Sequence, residues 1–252
     1  MQFSFCNSQF SILSWTDGDF LECVRLREID FGNLIIWFIV LLFSLSFHEA
    51  SHAWTSEKFG DDTGRIQGRI TLNPIAHIDI FGTILFPIVS ALSGIPLLGW
   101  AKPVQTNPLM WRDKTKANIA VSAAGPISNF ILATIAFVVI KVLLTAGQLQ
   151  VQGGYYTLVG PTAEQATFMA PLSVLLSVML LLNIGLGVFN LIPVPPLDGS
   201  HVLEELLPAS MAEAYAQIQP YGFMLLYGLM FIGVFGAIFR PLYQFVIILL
   251  QM

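Results

Sequence analysis

Long apolar runs separated by short polar loops set the architecture of the chain. Residues 33–54 are apolar until a polar cluster ends them, and at about 1.5 Å per residue they are long enough to cross a bilayer as a helix. Residues 119–144 and 171–192 repeat the pattern. A last run, 221–239, contains Gly222, Gly228, Gly233 and Gly236 and is expected to stop at Arg240-Pro241. Residues 242–250 are too short to cross again, so they are expected to lie along the interface or pack on the core. Another apolar stretch, 80–98, is interrupted by Pro87, Ser90, Ser93, Gly94 and Pro96. One loop has a different period: from 64 to 72, Ile66, Ile70 and Leu72 alternate with Arg65, Gln67, Arg69 and Thr71, which predicts a strand. Such a strand either holds an extended peptide by backbone pairing or closes a small hairpin that caps the bundle.

Composition agrees with the pattern. The chain is 55% hydrophobic and 11% charged, where soluble domains carry about a quarter charged residues. The expected fold is therefore an all-α polytopic membrane protein, with the lipid bilayer as its solvent. A net charge of -5 leaves no basic surface for nucleic acid, so that class of partner is excluded. Cys6 and Cys23 are both near the N-terminus and form no metal motif.

The polar cluster that ends the first run reads Phe47-His48-Glu49-Ala50-Ser51-His52. On a helix His48 and His52 project from one face, one turn apart, with Glu49 beside them. Two imidazoles at that spacing can clamp a metal ion, and the adjacent carboxylate can take a proton from water. A second cluster, Asn190-Leu191-Ile192-Pro193-Val194-Pro195-Pro196-Leu197-Asp198-Gly199, has three prolines in four positions and cannot remain helical. Unwound backbone at membrane depth is tolerated where it lines a protein-buried or watered cavity. Asp198, presented there, is either the third ligand or the cap of a helix beginning near Ser200. His201 follows and is left out of the ligand set. The stretch Ala123-Ala124-Gly125-Pro126 has the small residues that allow close helix approach, and Asn129 is expected to make an interhelical packing bond rather than to reach into the site as a hydrogen-bonding group.

Orientation follows from charge and from ligand parity. Loops 55–79 and 99–117 carry Lys58, Arg65, Arg69, Lys102, Arg112, Lys114 and Lys116, whereas 141–170 carries Lys141 alone, so the two basic loops are expected to be cytoplasmic. For Asp198 to reach the depth of His48 and His52, the helix before it must run in the same direction as the first. Residues 80–98 are then expected to enter and leave by one face as a re-entrant segment near the cytoplasmic side.

On these motifs the chain resembles the site-2 protease family of intramembrane zinc metalloproteases, peptidase family M50. The resemblance rests on His48-Glu49-Ala50-Ser51-His52, on Ala124-Gly125-Pro126, and on Asn190 through Asp198-Gly199. Gly68-Arg69-Ile70-Thr71-Leu72-Asn73-Pro74 with His77-Ile78-Asp79 resembles a compact branch of it. It implies one zinc ion per chain held by His48, His52 and Asp198, Glu49 as general base and acid, Asn190 as a donor to the oxyanion, and a transmembrane protein as substrate. The implied division is an arm at 1–32, a three-helix metalloprotease core at 33–207 and a C-terminal span with interfacial segment at 208–252. No PDZ domain fits in the 145–170 connection of about 26 residues, and no CBS domain follows the core. The arm has Asp17, Asp19, Glu22, Glu28 and Asp30 against Arg25 and Arg27, unlike a secretory or transit leader, which favours a bacterial inner membrane over an organelle. Two rival classes stand beside the protease. A metal transporter would use His48, His52, Asp198, His77 and Asp79 as an ion path, but the later spans carry almost no such groups. A non-catalytic helix binder would have lost a catalytic residue, and none is missing.

Overall fold

The computed structural model describes residues 31–93, 99–152, 158–162 and 166–252. In chain order the helices are α1 (Phe31–Lys58), the one-turn α2 (Thr63–Ile66), α3 (Phe86–Ser93), α4 (Lys114–Thr145), α5 (Ala166–Leu191), α6 (Asp198–Leu206), α7 (Ala209–Ala216), α8 (Gly222–Phe231) and α9 (Val234–Gln251). Strands β1 (Leu149–Val151) and β2 (Val159–Pro161) pair antiparallel, with Leu149 opposite Pro161. Helices α1, α4, α5 and α9 are long and apolar enough to cross a membrane. The protein is thus an all-α polytopic membrane protein with one small sheet among the described residues. The expected arm at 1–32 lies almost wholly outside them.

Helix α4 is the centre of the bundle, packing on α1, α5 and α6. It starts where Asp113 accepts from Lys116 N at 3.1 Å, satisfying an end donor the helix leaves unpaired. This start precedes the expected one, so Pro126 lies inside the helix rather than near its beginning. Contacts fix direction. Ser44 on α1 is level with Asn129 on α4, and His52 with Val121, so α1 and α4 are antiparallel. Asn183 on α5 meets the same Ser44, while Asp198 just beyond α5 meets His48, so α5 runs with α1, as ligand parity requires. Helix α9 then runs back along α5, Phe235 packing on Phe189 and Tyr243 lying beside Gly185. Its far end joins the main apolar core, where Val246 and Leu250 meet Ile140, Leu149, Leu158 and Leu180.

Two expectations are corrected. The alternating stretch 64–72 is not a strand: Thr63–Ile66 is a helical turn, and the chain reverses at Gly68, whose φ of +66° is open to glycine at little cost. Gly64 packs directly on α1, since a Cβ there would come within 2.9 Å of Ala53 Cβ. The C-terminal span does not run 221–239 and stop at Arg240-Pro241. Gly233, at φ +81°, separates α8 from α9, and α9 continues through Pro241. The 18-residue α9, not the run before it, has spanning length.

The 80–93 segment is helical and returns. After a π-helical start at Ile80–Leu85 it continues as α3, and beyond residues 94–98, which lie outside the described ones, Trp100 N donates to Gly82 O at 3.2 Å. Thr83 Oγ1 donates to Trp100 O at 2.8 Å. The segment ends where it began, the geometry of a re-entrant hairpin.

Candidate metal centre

Two elements bring the ligating groups together. His48 and His52 stand one turn apart on α1, their rings 4.7 Å apart and nearly perpendicular. Helix α5 ends at Leu191, and the proline-rich turn 192–197 carries the chain to Asp198, the first residue of α6. Asp198 Oδ2 lies 3.1 Å from His48 Nε2 and 3.5 Å from His52 Nε2. The capping alternative has no support in the geometry, because α6 begins without a side-chain cap bond. Ligands about 2.0–2.1 Å from a tetrahedral zinc ion lie about 3.3 Å apart, close to both spacings.

Hydrogen bonding decides which atoms carry protons. His52 Nδ1 lies 2.7 Å from Val121 O, and a carbonyl can only accept, so Nδ1 bears a hydrogen and in the neutral ring Nε2 carries the lone pair. His48 Nδ1 lies 2.6 Å from Asn129 Oδ1. Asn129 Nδ2 is committed to Asn183 Oδ1 at 2.8 Å, and Asn183 Nδ2 to Ser44 Oγ at 2.9 Å, so Asn129 presents its oxygen and His48 donates from Nδ1. With both rings neutral, as metal ligation requires, the two Nε2 lone pairs face Asp198 Oδ2, a buried atom with no other hydrogen-bond donor. Three acceptors within 4.8 Å of one another repel unless a cation lies among them, and His48, His52 and Asp198 form a group able to hold a metal ion. Gly125 leaves room beside the imidazoles: a Cβ there would come within 2.4 Å of His52 Nε2 and 2.5 Å of His48 Nε2.

Glu49 lies beside this group with Oε2 held by Val104 N at 3.0 Å. That amide belongs to the irregular segment after the returning hairpin, whose Lys102 N donates to His77 O and whose Asn107 N donates to Asp61 Oδ2. The structure thus brings together His48, Glu49, His52 and Asp198. Asn190, at the end of α5, donates from Nδ2 to Leu186 O of its own helix at 2.9 Å. His201 is exposed. His77 is buried against Thr71 O, and Asp79 accepts from Phe81 N and Gly82 N, so neither extends an ion path from the metal group.

The interhelical bond expected of Asn129 is present and belongs to a chain with Ser44 and Asn183, which were not anticipated. All three are 0% exposed and join α1, α4 and α5 at the level of His48. Their residue type inside lipid-length helices was the available signal, because a polar side chain there needs a partner.

The chain is similar to proteins of known grouping. The profile of peptidase family M50 matches residues 36–233. "Putative zinc metalloprotease YwhC" of Bacillus subtilis (strain 168) is 38% identical over 186 residues, covering 74% of this chain and 75% of that protein. "Putative zinc metalloprotease Rip2" of Mycolicibacterium smegmatis is 27% identical over 215 residues, covering 84% and 71%. Its namesake from Mycobacterium tuberculosis strain H37Rv is 26% identical over 215 residues, covering 85% and 72%. No solved structure matches the chain.

Proposed function

We propose, from the premise that the chain belongs to peptidase family M50, that it is an intramembrane zinc endopeptidase cutting transmembrane segments of membrane proteins near the cytoplasmic face of a bacterial inner membrane. The carrying observation is the convergence of two imidazole lone pairs on a buried carboxylate oxygen that receives no hydrogen bond. His48, His52 and Asp198 would hold one zinc ion, which when bound lowers the pKa of water and polarises a carbonyl oxygen.

The chain's own residues do the rest. Val104 N–H fixes one oxygen of Glu49 and leaves the other to take a proton from water. The water oxygen forms a bond to the peptide carbon, the carbon–nitrogen bond breaks, and Glu49 returns the proton to the departing amine. Asn190 Nδ2 gives one hydrogen to Leu186 O, and its second N–H would serve the developing oxyanion. A helical substrate has its carbonyls hydrogen-bonded and shielded, so it must unwind before cleavage. The basic loops at both ends of the returning hairpin support the cytoplasmic assignment.

Wild type and Glu49→Gln purified in detergent test the reading, with bound zinc and cleavage of a tagged transmembrane peptide measured on the same samples. The variant is expected to keep about one zinc per chain and to lose at least a hundredfold in rate, the scale of a general base. If both proteins hold zinc, neither cuts any of a panel of helices, and vesicles containing the protein pass metal ions, the chain is a transporter.

A further inference from the structure

The Gly68 to Pro74 motif takes no part in the chemistry above, yet it contributes an unusual charge. Arg69 is only 7% exposed, and Nη1 donates to Ala76 O. Among the described residues no carboxylate forms an ion pair with it. A guanidinium removed from water without a counter-charge is costly. It lines an open cleft of about 500 Å³ with Gln67, Ile75, Ala76, Lys102 and Gln105. Lys102, exposed, also has no ion-pair partner among the described residues. The lining therefore holds two cations and two amides and no acid. Its walls are fixed, with Gln67 Nε2 donating to Gln105 Oε1 at 3.1 Å and Lys102 N to His77 O at 2.9 Å.

We propose that this cleft is an anion subsite that takes a carboxylate of the peptide substrate close to the scissile bond, an inference that rests on the protease reading. Position favours a peptide over a lipid. Val104, whose N–H holds Glu49, lies between the two cleft residues Lys102 and Gln105. Even fully extended backbone advances only about 3.3 Å per residue, so Lys102 is at most about 7 Å along the chain from that amide. An extended substrate with its scissile bond at Glu49 would then bring a side chain two or three residues away to the cleft. The planar fork of Arg69 suits a carboxylate, which can accept two parallel N–H bonds, and Lys102 at the rim draws the acid in.

The test uses the full-length zinc protein and a transmembrane peptide in which a single Glu is walked through the three residues on each side of the scissile bond, with Gln at the same position as control. Wild type is expected to cleave one Glu peptide about tenfold better in kcat/KM than its Gln partner. Arg69→Gln should lose that ratio, and Lys102→Glu should invert it toward a Lys-bearing peptide. Lys102 is exposed, so its variant carries the test should Arg69→Gln misfold. A parallel arm measures binding of fluorescein-labelled Glu and Gln peptides to Glu49→Gln protein, with and without Lys102→Glu. Cleavage without a Glu preference at any position, or a preference unmoved by both variants, overturns the anion subsite and leaves the protease reading intact. Binding that depends on Glu and on Lys102, with no peptide cut by wild type, supports the subsite and rejects the protease. Dependence of activity on phosphatidylglycerol over phosphatidylcholine vesicles, lost in Lys102→Glu and without any Glu effect, assigns the cleft to lipid phosphate and overturns the proposal.

Discussion

Asn129 Oδ1 accepts from His48 while its amide nitrogen is committed to Asn183, so the imidazole cannot turn without breaking a buried bond. Partners of this kind orient a ligand and fix its tautomer, and losing one typically costs 10–100-fold, about 1–3 kcal/mol, in metal affinity. Asn129→Leu, close in volume, is expected to weaken zinc binding by a factor in that range, measured by chelator competition. The helix content of the variant should be unchanged by circular dichroism. Unaltered zinc affinity would show that His48 is held by other means. The convergence of His48, His52 and Asp198 was legible because i, i+4 spacing dictates a shared face and because three prolines announce an unwound presentation of Asp198. An interhelical bond from Asn129 was legible too, but not its partners His48 and Asn183, since a polar residue on a spanning helix says that it needs a partner but not which helix supplies it. The role of Asn190 was read from resemblance, and its amide is engaged with Leu186.

At the scale of elements, the end of α1 is tied to the segment that carries Val104 by one buried carboxylate. Asp61 accepts from Thr63 N at 3.0 Å, Asn107 N at 2.8 Å and Ser56 Oγ at 2.8 Å, while Trp111 Nε1 donates to that Ser56 oxygen. Burial pushes its carboxyl up, but the bonds from Thr63, Asn107 and Ser56 outweigh it and hold the group below the usual carboxylate range. The folded pKa is therefore lower than the unfolded value of about 3.9, so the stabilisation is complete above that pH and is lost as pH falls through the folded value. Asp61→Asn should unfold at lower temperature than wild type at pH 7 in detergent, and the gap should narrow as the pH falls below the ordinary carboxylate range. A gap independent of pH would mean that the ionised carboxylate contributes nothing. The same neighbourhood explains why the period-two stretch misled. Gly64 is there to let the chain touch Ala53, and Gly68 to turn it, so both glycines record contacts rather than strand pairing. The true strands, three residues each, are too short to show a period.

For the molecule as a whole, joining Asp198 to His48 and His52 forces α1 and α5 to run the same way, and α4 between them to run the other. The β1–β2 hairpin and the end of α9 then share one end of the bundle, as Val246 and Leu250 packing with Leu149 and Leu158 requires. The metal group, the returning hairpin and the basic loops occupy the opposite end. Had 80–98 crossed instead, Trp100 could not hydrogen-bond Gly82, and the loop holding Glu49 would lie across the bilayer from it. Parity was legible from the sequence because the ligands impose it. The position of the fourth crossing was not, because a proline inside a membrane helix need not end it, whereas a glycine with positive φ did. Single cysteines at Ser90, Gln105 and Gln150, in a chain with Cys6 and Cys23 replaced by serine, separate the alternatives by labelling with an impermeant maleimide in oriented membrane vesicles. Gln105 and Ser90 are expected to react from the same side, with Ser90 slower if lipid covers it, and Gln150 from the other. Reaction of Ser90 from the side of Gln150 would make 80–98 a crossing, put Val104 and Glu49 on opposite faces, and break the geometry on which the catalytic reading depends.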